Sequence, residues 1–388
     1  MIGFLFASFP DDFETVRLNV EKEYNECGVF FLNEDYIRAL NSKASAFALT
    51  ESELICAART LSENAEAAKY TLFVCRAMED RELLSKHLKY FEFPDREFPF
   101  LAILAFLPSI EKIHSNLCNL GLPDEVVLDT LRQFEDCMFL YEERFGCLGL
   151  NKRYFDHLQR YVDGKILNIG RLRFELYKNK DVYLLESRKT GKQILFVDGE
   201  RMNSDGLYAD TPPIKESITG FDAFLGENET SYIGTPIGDD GKCKNLPIEL
   251  DKSEYFMRVG KGDDIIAVHI PAKGALTREA CEKSYTQAKE IFKKIYPTCD
   301  FKAFRCHSWM MAPELRDILK PGSNLLEFQS PYKKYPSHTK GEDVLNFVFK
   351  MKFTSYNDLP EDTSLQRALK KIYLSGGYLY EYSGLFTI

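Results

Sequence analysis

The spacing of hydrophobic residues divides the chain into two parts with different predicted secondary structure. Through residues 1–150, apolar positions recur at intervals of three and four, which is the period of a helix packed on one face. Helix start signals agree, since Asn33 precedes one such stretch and Thr50 with Glu53 has the spacing of a capping box. We therefore predict an all-helical N-terminal domain over residues 1–150.

The clearest helix of this part is predicted between Pro123 and Gly146. Proline is favoured at a helix start and glycine at its end. Between them, apolar residues repeat with helical spacing at Val127, Leu128, Leu131, Phe134, Met138 and Phe145. The pattern predicts one continuous amphipathic helix.

The pattern changes beyond residue 150, where strands and turns become the main feature. A short helix is predicted over residues 154–161, and apolar alternation then predicts strands over 169–177, 182–186 and 194–197. Residues 199–250 are rich in Gly, Pro, Asp and Asn, which predicts a long functional or partly mobile loop region.

Strands and helices alternate after residue 262. Strands are predicted at 265–270, 301–305, 324–328, 344–353 and 378–386, and helices at 277–295, 313–319 and 363–374. Strand-helix-strand units of this spacing predict parallel neighbours joined by right-handed crossovers, with antiparallel strands at the end. We predict an α+β chain, in which residues 151–388 form a mixed α/β domain with a strand-rich first half (165–260), a βαβ core (262–330) and C-terminal strands with a helix (340–388).

Composition narrows the class of protein. The chain has 388 residues, a net charge of -9 and 45% hydrophobic residues, which suits two globular domains and disfavours nucleic acid as a partner. Ten scattered cysteines without a CxxC pair indicate a reducing compartment, and no basic signal sequence or span of ~20 apolar residues is evident. We expect a cytoplasmic protein without a membrane segment. The six histidines have no metal-ligand spacing, so we predict no metal site.

The turn within DIIAVHIPAKGALT, residues 264–277, is a candidate anion site. A strand-to-helix turn presents unpaired backbone N–H groups, and the helix dipole is positive at its start. Gly274 permits the tight bend and Lys273 adds a positive charge, so a pyrophosphate is the expected ligand. The alternative is that Gly274 only closes the connection and Thr277 only caps the helix.

Two histidines are the candidate catalytic groups. His307 follows the predicted strand 301–305, and His269 lies at the corresponding end of the preceding strand. If the strands are parallel neighbours, both imidazoles flank one crevice, and imidazole transfers protons well at neutral pH. Hydrogen-bonded structural histidines are the alternative. Ser308 and Trp309 come next in the chain and are predicted to line the substrate pocket.

Two further groups of residues are candidates for the functional site. Arg171 and Glu175 share one face of the first strand, where they contact either solvent or a substrate. Tyr332 and the residues after it form either an exposed basic loop or a source of a phenolic acid. A Cys306–His307 nucleophile pair is excluded, because adjacent strand residues point to opposite faces.

Several segments resemble a known family. These are Gly262 through VHIPAKGAL, the stretch AFRCHSW at 303–309, SNLLEF at 323–328, DTSLQRA at 362–368 and the pair Gly376-Gly377. They are similar to bacterial two-domain acyltransferase-like proteins, which pair a helical N-acyltransferase N-terminal domain with a GNAT-like C-terminal domain. The resemblance covers most of the chain and is strongest beyond residue 262.

The resemblance implies a site for coenzyme A. In the GNAT arrangement two parallel strands splay apart, a CoA thioester threads between them, and its pyrophosphate rests on the turn before the next helix. The matching positions here are Ile270, Ala272, Lys273, Gly274, Ala275 and Thr277. The usual turn begins with Gln or Arg and has a second small residue after its first glycine, whereas Ala272 stands at the start here.

The resemblance also implies a reaction, namely transfer of an acyl group from acyl-CoA, such as acetyl-CoA, to a small amine. His307 is the first choice of base, followed by His269 and Glu175, with Tyr332 or Tyr335 as donor to the leaving thiolate. The alternatives are a ligand-binding or scaffold protein that keeps the fold without catalysis, and a helical interaction module with an appended α/β domain.

Overall fold

The chain folds into two compact units, residues 1–169 and 170–388. The computed structural model describes residues 9–162, 164–212, 219–272, 274–349 and 353–388. Across these ranges, no helix is both long and apolar enough to cross a membrane.

The first unit is built from ten helices in its described residues, followed by the short strand β1, Ile166–Ile169. The helices are α1 Glu14–Cys27, α2 Glu34–Ala44, α3 Glu51–Ser62, α4 Ala65–Ala77, α5 Arg81–His87, α6 Leu101–Ala105, α7 Leu107–Asn119, α8 Asp124–Leu131, α9 Gln133–Phe145 and α10 Lys152–Val162. Their apolar faces meet in an aromatic core, where the ring centroids of Phe106 and Phe155 are 5.0 Å apart and those of Phe106 and Phe134 5.4 Å.

Two local predictions for this unit are wrong. The segment between Pro123 and Gly146 is two helices, because at Arg132, with ψ of -17°, the helical pattern is interrupted for one residue. Thr50 does not cap α3; its hydroxyl donates to the carboxylate of Glu135, which also accepts the Thr50 N–H. The predicted cap at Asn33 is confirmed, since its side chain accepts from Asp35 N.

The second unit contains a central mixed sheet. Its strands are β2 Leu172–Lys178, β11 Asp264–His269, β12 Ala303–Ser308, β13 Lys333–Pro336 and β14 Tyr382–Thr387, in the spatial order β2-β11-β12-β14-β13. β11 and β12 are parallel, as predicted, and the remaining pairs among these strands are antiparallel. The helix α11, Arg278–Ile295, connects the two parallel strands.

Smaller elements complete the unit. The hairpin of β3, Val182–Ser187, and β4, Gln193–Val197, forms as predicted and pairs with β10, Tyr255–Val259. The predicted loop region contains short strands in its described residues: β5 Glu200–Met202, β6 Phe221–Ala223, β7 Leu225–Glu227, β8 Ser231–Gly234 and β9 Ile248–Asp251. The remaining helices are α12 Leu315–Ile318, α13 Asn324–Gln329 and α14 Ser364–Leu374.

Two predicted strands are wrong. Residues 324–328 belong to the helix α13, in which Phe328 and Gln329 are the buried positions. Residues 345–349 form a single π-helical turn that buries Phe349, and residues 350–352 lie outside the described ranges. Both stretches are short apolar runs, and hydrophobic periodicity does not separate helix from strand at that length.

The two faces of the central sheet differ in chemistry. α11 covers one face, where Tyr285 packs against Phe304 at 5.0 Å and against Phe386 at 5.1 Å between ring centroids. The other face carries apolar residues at one end, including Ile265 and Leu385, which pack with the hairpin β3–β4. Toward the other end of the same face, the side chains become polar.

Candidate functional site

The strand register puts His269 and His307 on the same face of the sheet. β11 and β12 pair Val268 with Cys306, and paired residues of neighbouring strands point the same way. The next residues, His269 and His307, therefore point to the opposite face. Cys306 lies on the α11 side, where burial raises the pKa of its thiol to about 12, so the exclusion of a Cys306–His307 pair is confirmed.

His269 is held by a carboxylate from the next strand. Glu175 pairs with Ala267 across β2 and β11, so the Glu175 side chain lies on the histidine face. The distance between His269 Nε2 and Glu175 Oε2 is 3.0 Å. A carboxylate at one ring nitrogen fixes the orientation of the imidazole.

His307 contacts two serine hydroxyls. Its Nδ1 is 3.2 Å from Ser337 Oγ and 3.4 Å from Ser383 Oγ, and Ser337 donates to Ser383 at 2.8 Å. Both contacts reach Nδ1, and no hydrogen bond among the described residues reaches the other ring nitrogen, Nε2.

His307 is neutral at physiological pH. Burial among protein atoms, together with the neighbouring charge of Arg305, lowers the pKa of His307 to about 4, and the opposing effect of Asp181 is smaller. The His307 side chain is nevertheless exposed to solvent. Solvent therefore reaches the imidazole, although the surrounding protein groups lower its pKa.

Arg305 connects the residues behind His307. Its Nε donates to Tyr335 Oη at 2.8 Å, and its Nη2 lies 3.2 Å from Ser383 Oγ and 3.5 Å from Asp181 Oδ2. The sequence analysis missed Arg305, Asp181, Ser337 and Ser383. Alternation along the strand places Arg305 on the face of His307, whereas the other three are brought in by tertiary structure.

The pairing of β11 with β12 ends next to the two histidines. The parallel ladder runs from Ile266 and Phe304 to Val268 and Cys306. β12 continues beyond it to Ser308 while paired with β14, up to Ser308 opposite Tyr382. The strands are thus adjacent, and their hydrogen bonding stops where His269 and His307 lie.

The turn after β11 leads directly into α11. Gly274 has a φ of +91°, a conformation that favours glycine, and Thr277 caps the helix by accepting from Ala280 N at 3.3 Å. Ala272, Ala275 and Thr277 are exposed, whereas Ile270 is half-buried. Lys273 lies outside the described residues.

Arg171 lies against this turn. Its guanidinium donates to the carbonyl oxygens of Pro271 at 3.1 Å, Gly274 at 2.7 Å and Ala275 at 3.1 Å. Arg171 was predicted to contact substrate, and its contacts within the described chain are with the turn. The exposed side of the turn is not covered by it.

Three predicted site residues occupy other positions. Tyr332 is buried on the α11 face, with its hydroxyl 2.8 Å from that of Tyr285, so it does not lie with the histidines. Trp309 is buried in the 3-10 turn after β12, and Ser308 Oγ accepts from Met310 N at the start of that turn. β12 therefore extends through His307, beyond the predicted end at Arg305.

No group of three or more His, Cys, Asp or Glu side chains is arranged to hold a metal ion in the part of the chain that the structure describes. The polar groups of the histidine face instead form a hydrogen-bonded network suited to proton transfer.

Comparisons with known proteins agree with this fold. Three solved structures share it: an acyltransferase in complex with decanoyl-CoA and teicoplanin (TM-score 0.61, 17% identity, 96% of this chain and 98% of that chain), an acyltransferase in complex with CoA and 10C-teicoplanin (0.59, 17%, 96% and 98%), and an acyltransferase mutant in complex with octanoyl-CoA (0.60, 16%, 91% and 88%). A comparison with curated proteins finds no match.

The family itself is shown by the sequence of the second unit. Residues 166–386, more than half of the chain, match the GNAT-like C-terminal domain. This match confirms the resemblance found in the motifs beyond residue 262. The chain therefore belongs to the family of proteins with a GNAT-like C-terminal domain.

Proposed function

We propose that the protein is an acyl-CoA-dependent N-acyltransferase that transfers an acyl group to a small amine. The observation that carries the proposal is the position of His307 beside His269 and Glu175, where the β11–β12 ladder ends; His269 is two residues before Pro271, where the turn leading to α11 begins. The solved structures of the same fold support it, because they are named as acyltransferases in complex with CoA or acyl-CoA.

The turn provides the features that a pyrophosphate requires. The N–H groups of Arg278 and Glu279, the first two residues of α11, have no acceptor within the helix, and the dipole of this 18-residue helix is positive there. Gly274 and Ala275 allow close approach of a phosphate to the backbone. In this proposal the acyl-CoA is a co-substrate whose thioester extends toward His307.

The reaction forms one bond and breaks one. The amine nitrogen attacks the thioester carbonyl, a C–N bond forms, the C–S bond breaks, and CoA leaves as its thiolate. The proton of the attacking nitrogen passes to Nε2 of His307, which is neutral because its pKa is about 4. That same low pKa favours onward transfer of the proton to the thiolate, since a thiol has a pKa of about 8.5.

The His269–Glu175 pair contributes a second imidazole next to the first. The carboxylate of Glu175 lies 3.0 Å from His269 Nε2 and holds that ring in place. We assign this pair to orienting the acceptor amine, which attacks as the neutral amine. Tyr332 is given no role, because its hydroxyl is bonded to Tyr285 on the other face of the sheet.

Titration calorimetry and a thiol-release assay test the proposal. We expect the protein to bind CoA, acetyl-CoA or octanoyl-CoA, and to release CoA thiol from one of the thioesters only when an acceptor from a panel of amines is present. Absence of binding to all three contradicts the proposal. Binding without turnover on any amine favours the non-catalytic ligand-binding alternative.

A pair of glycine variants links binding to the turn. Gly274 and Gly191 both have positive φ, of +91° and +69°, but Gly191 lies in the β3–β4 hairpin with open space around it. Gly274→Ala should weaken CoA binding while Gly191→Ala, which carries a similar backbone strain, should not. Equal affinities in the two folded variants contradict the assignment of the turn as the CoA site.

A further inference from the structure

The Arg171 guanidinium contacts the described residues of the turn after β11 at three points. A single guanidinium donates to three carbonyl oxygens of that turn, those of Pro271, Gly274 and Ala275, about a hundred residues further along the chain. The side chain also lies 3.3 Å from the position that a Cβ on Gly274 would occupy. The conformation of the turn is therefore coupled to Arg171.

Arg171 is itself fixed by α11. Its backbone N–H donates to Ser284 Oγ at 2.8 Å, and Ser284 Oγ in turn donates to Ala280 O at 2.8 Å. The preceding residue, Gly170, has a φ of +59°, and a Cβ there would lie 2.7 Å from Ser284 Oγ. The start of β2 is thus attached to the first turns of α11, and Arg171 extends from this point to the turn.

Three carbonyl groups of the turn have hydrogen-bond donors, whereas N–H groups at the start of α11 lack acceptors within the helix. Arg171 satisfies three carbonyl acceptors, and Thr277 satisfies Ala280 N. The N–H groups of Arg278 and Glu279 have no acceptor within the helix. A backbone with satisfied carbonyls and free N–H groups binds anions, and the charge of Arg171 adds to the positive potential.

We infer that Arg171 is a positioning residue, which holds Pro271, Gly274 and Ala275 in place so that the free N–H groups at the start of α11 are accessible to the pyrophosphate of CoA. It acts on nucleotide affinity and takes no part in acyl transfer. The inference rests on the proposed function. It states that Arg171 determines how much more strongly the protein binds a CoA thioester than a thioester without a pyrophosphate.

The test compares three variants with the natural protein. Arg171→Gln removes the charge and the three-way contact, Arg171→Lys keeps the charge but not the planar fork, and Arg188→Gln is the matched control, an exposed arginine of the β3–β4 hairpin that stacks on Phe256. Each is titrated with CoA and assayed for thiol release with acyl-CoA and with acyl-pantetheine, which lacks the nucleotide and pyrophosphate.

Arg171→Gln should bind CoA at least about tenfold more weakly, with Arg171→Lys intermediate and Arg188→Gln unchanged. KM for acyl-CoA should rise while kcat at saturation and the rate with acyl-pantetheine stay the same. A general structural role would lower both thioester reactions together, and that result overturns the inference.

The outcomes separate the inference from the proposed function. If the natural protein binds CoA and folded Arg171→Gln binds it equally well, the inference is wrong and the function stands. If the natural protein binds no CoA, both are wrong. Should Arg171→Gln not fold, Ser284→Ala provides the comparison, because it removes only the hydroxyl that holds Arg171 N; unchanged CoA affinity there counts against the inference.

Discussion

At the scale of single residues, the properties of His307 depend on groups far away in the sequence. Strand position and residue type predict His307 as a candidate base. They do not predict that Arg305, Tyr335 and Asp181 lie behind it, because those contacts require β12 to pair with β14 and residue 181 to approach the same face. Burial and the charge of Arg305 lower the pKa of His307, whereas Asp181 acts in the opposite direction.

The depressed pKa makes a prediction about stability. A histidine with a pKa of about 4 in the folded protein and about 6.5 unfolded binds more protons when unfolded, so it removes stability as the pH falls from 6.5 toward 4. His307→Asn should therefore lose less stability than the natural protein between pH 7 and pH 5. Urea unfolding followed by the fluorescence of Trp309, the single tryptophan, reports on the second unit.

If the free energies of unfolding of the natural protein and His307→Asn change equally with pH, His307 has an ordinary pKa in the folded protein. His338→Asn, in the second unit, is the control of opposite sign, because the carboxylates of Asp210 and Glu200 outweigh the effect of burial and raise the pKa of His338.

At the scale of elements, the long periodic segments are predictable and the short apolar ones are not. α11 begins at Arg278 with Thr277 as its cap, within one residue of the predicted start, because its apolar stripe repeats over 18 residues. The helix α13 has six residues, too few for the same signal, so its apolar residues equally suit a strand. Its conformation is set by packing of Phe328 and Gln329.

The cap of α11 makes a prediction at this scale. Thr277→Ala removes the acceptor for Ala280 N and should destabilise the second unit by about 1 kcal/mol. Thr286→Ala is the matched control, since Thr286 is exposed in the interior of the same helix, where alanine has the higher helix propensity. Denaturation curves that shift equally for both variants contradict the cap.

At the scale of the whole molecule, the net negative charge of the chain does not describe the charge near the candidate site. The chain carries -9 overall, yet Arg171, Arg173 and Arg305 lie on the strands that bear the histidines or next to them. A local basic region can attract a small anionic co-substrate although the protein as a whole repels polyanions. Composition therefore argues against nucleic acid and leaves a nucleotide co-substrate open.

The fold class, a helical region followed by a mixed α/β domain, and the family were predictable from sequence, because the hydrophobic period changes along the chain and the motifs beyond residue 262 are specific. The network around His307 was not, since Asp181, Ser337 and Ser383 come from three separate segments with no shared pattern.

The most direct test of the account is the rate of acyl transfer by the natural protein and by His307→Ala over pH 5 to 9. We predict that the variant still binds acyl-CoA and that its kcat falls by about 100-fold or more at every pH, with His114→Ala unchanged. Turnover by His307→Ala equal to that of the natural protein across this range would contradict the central claim that His307 accepts the proton.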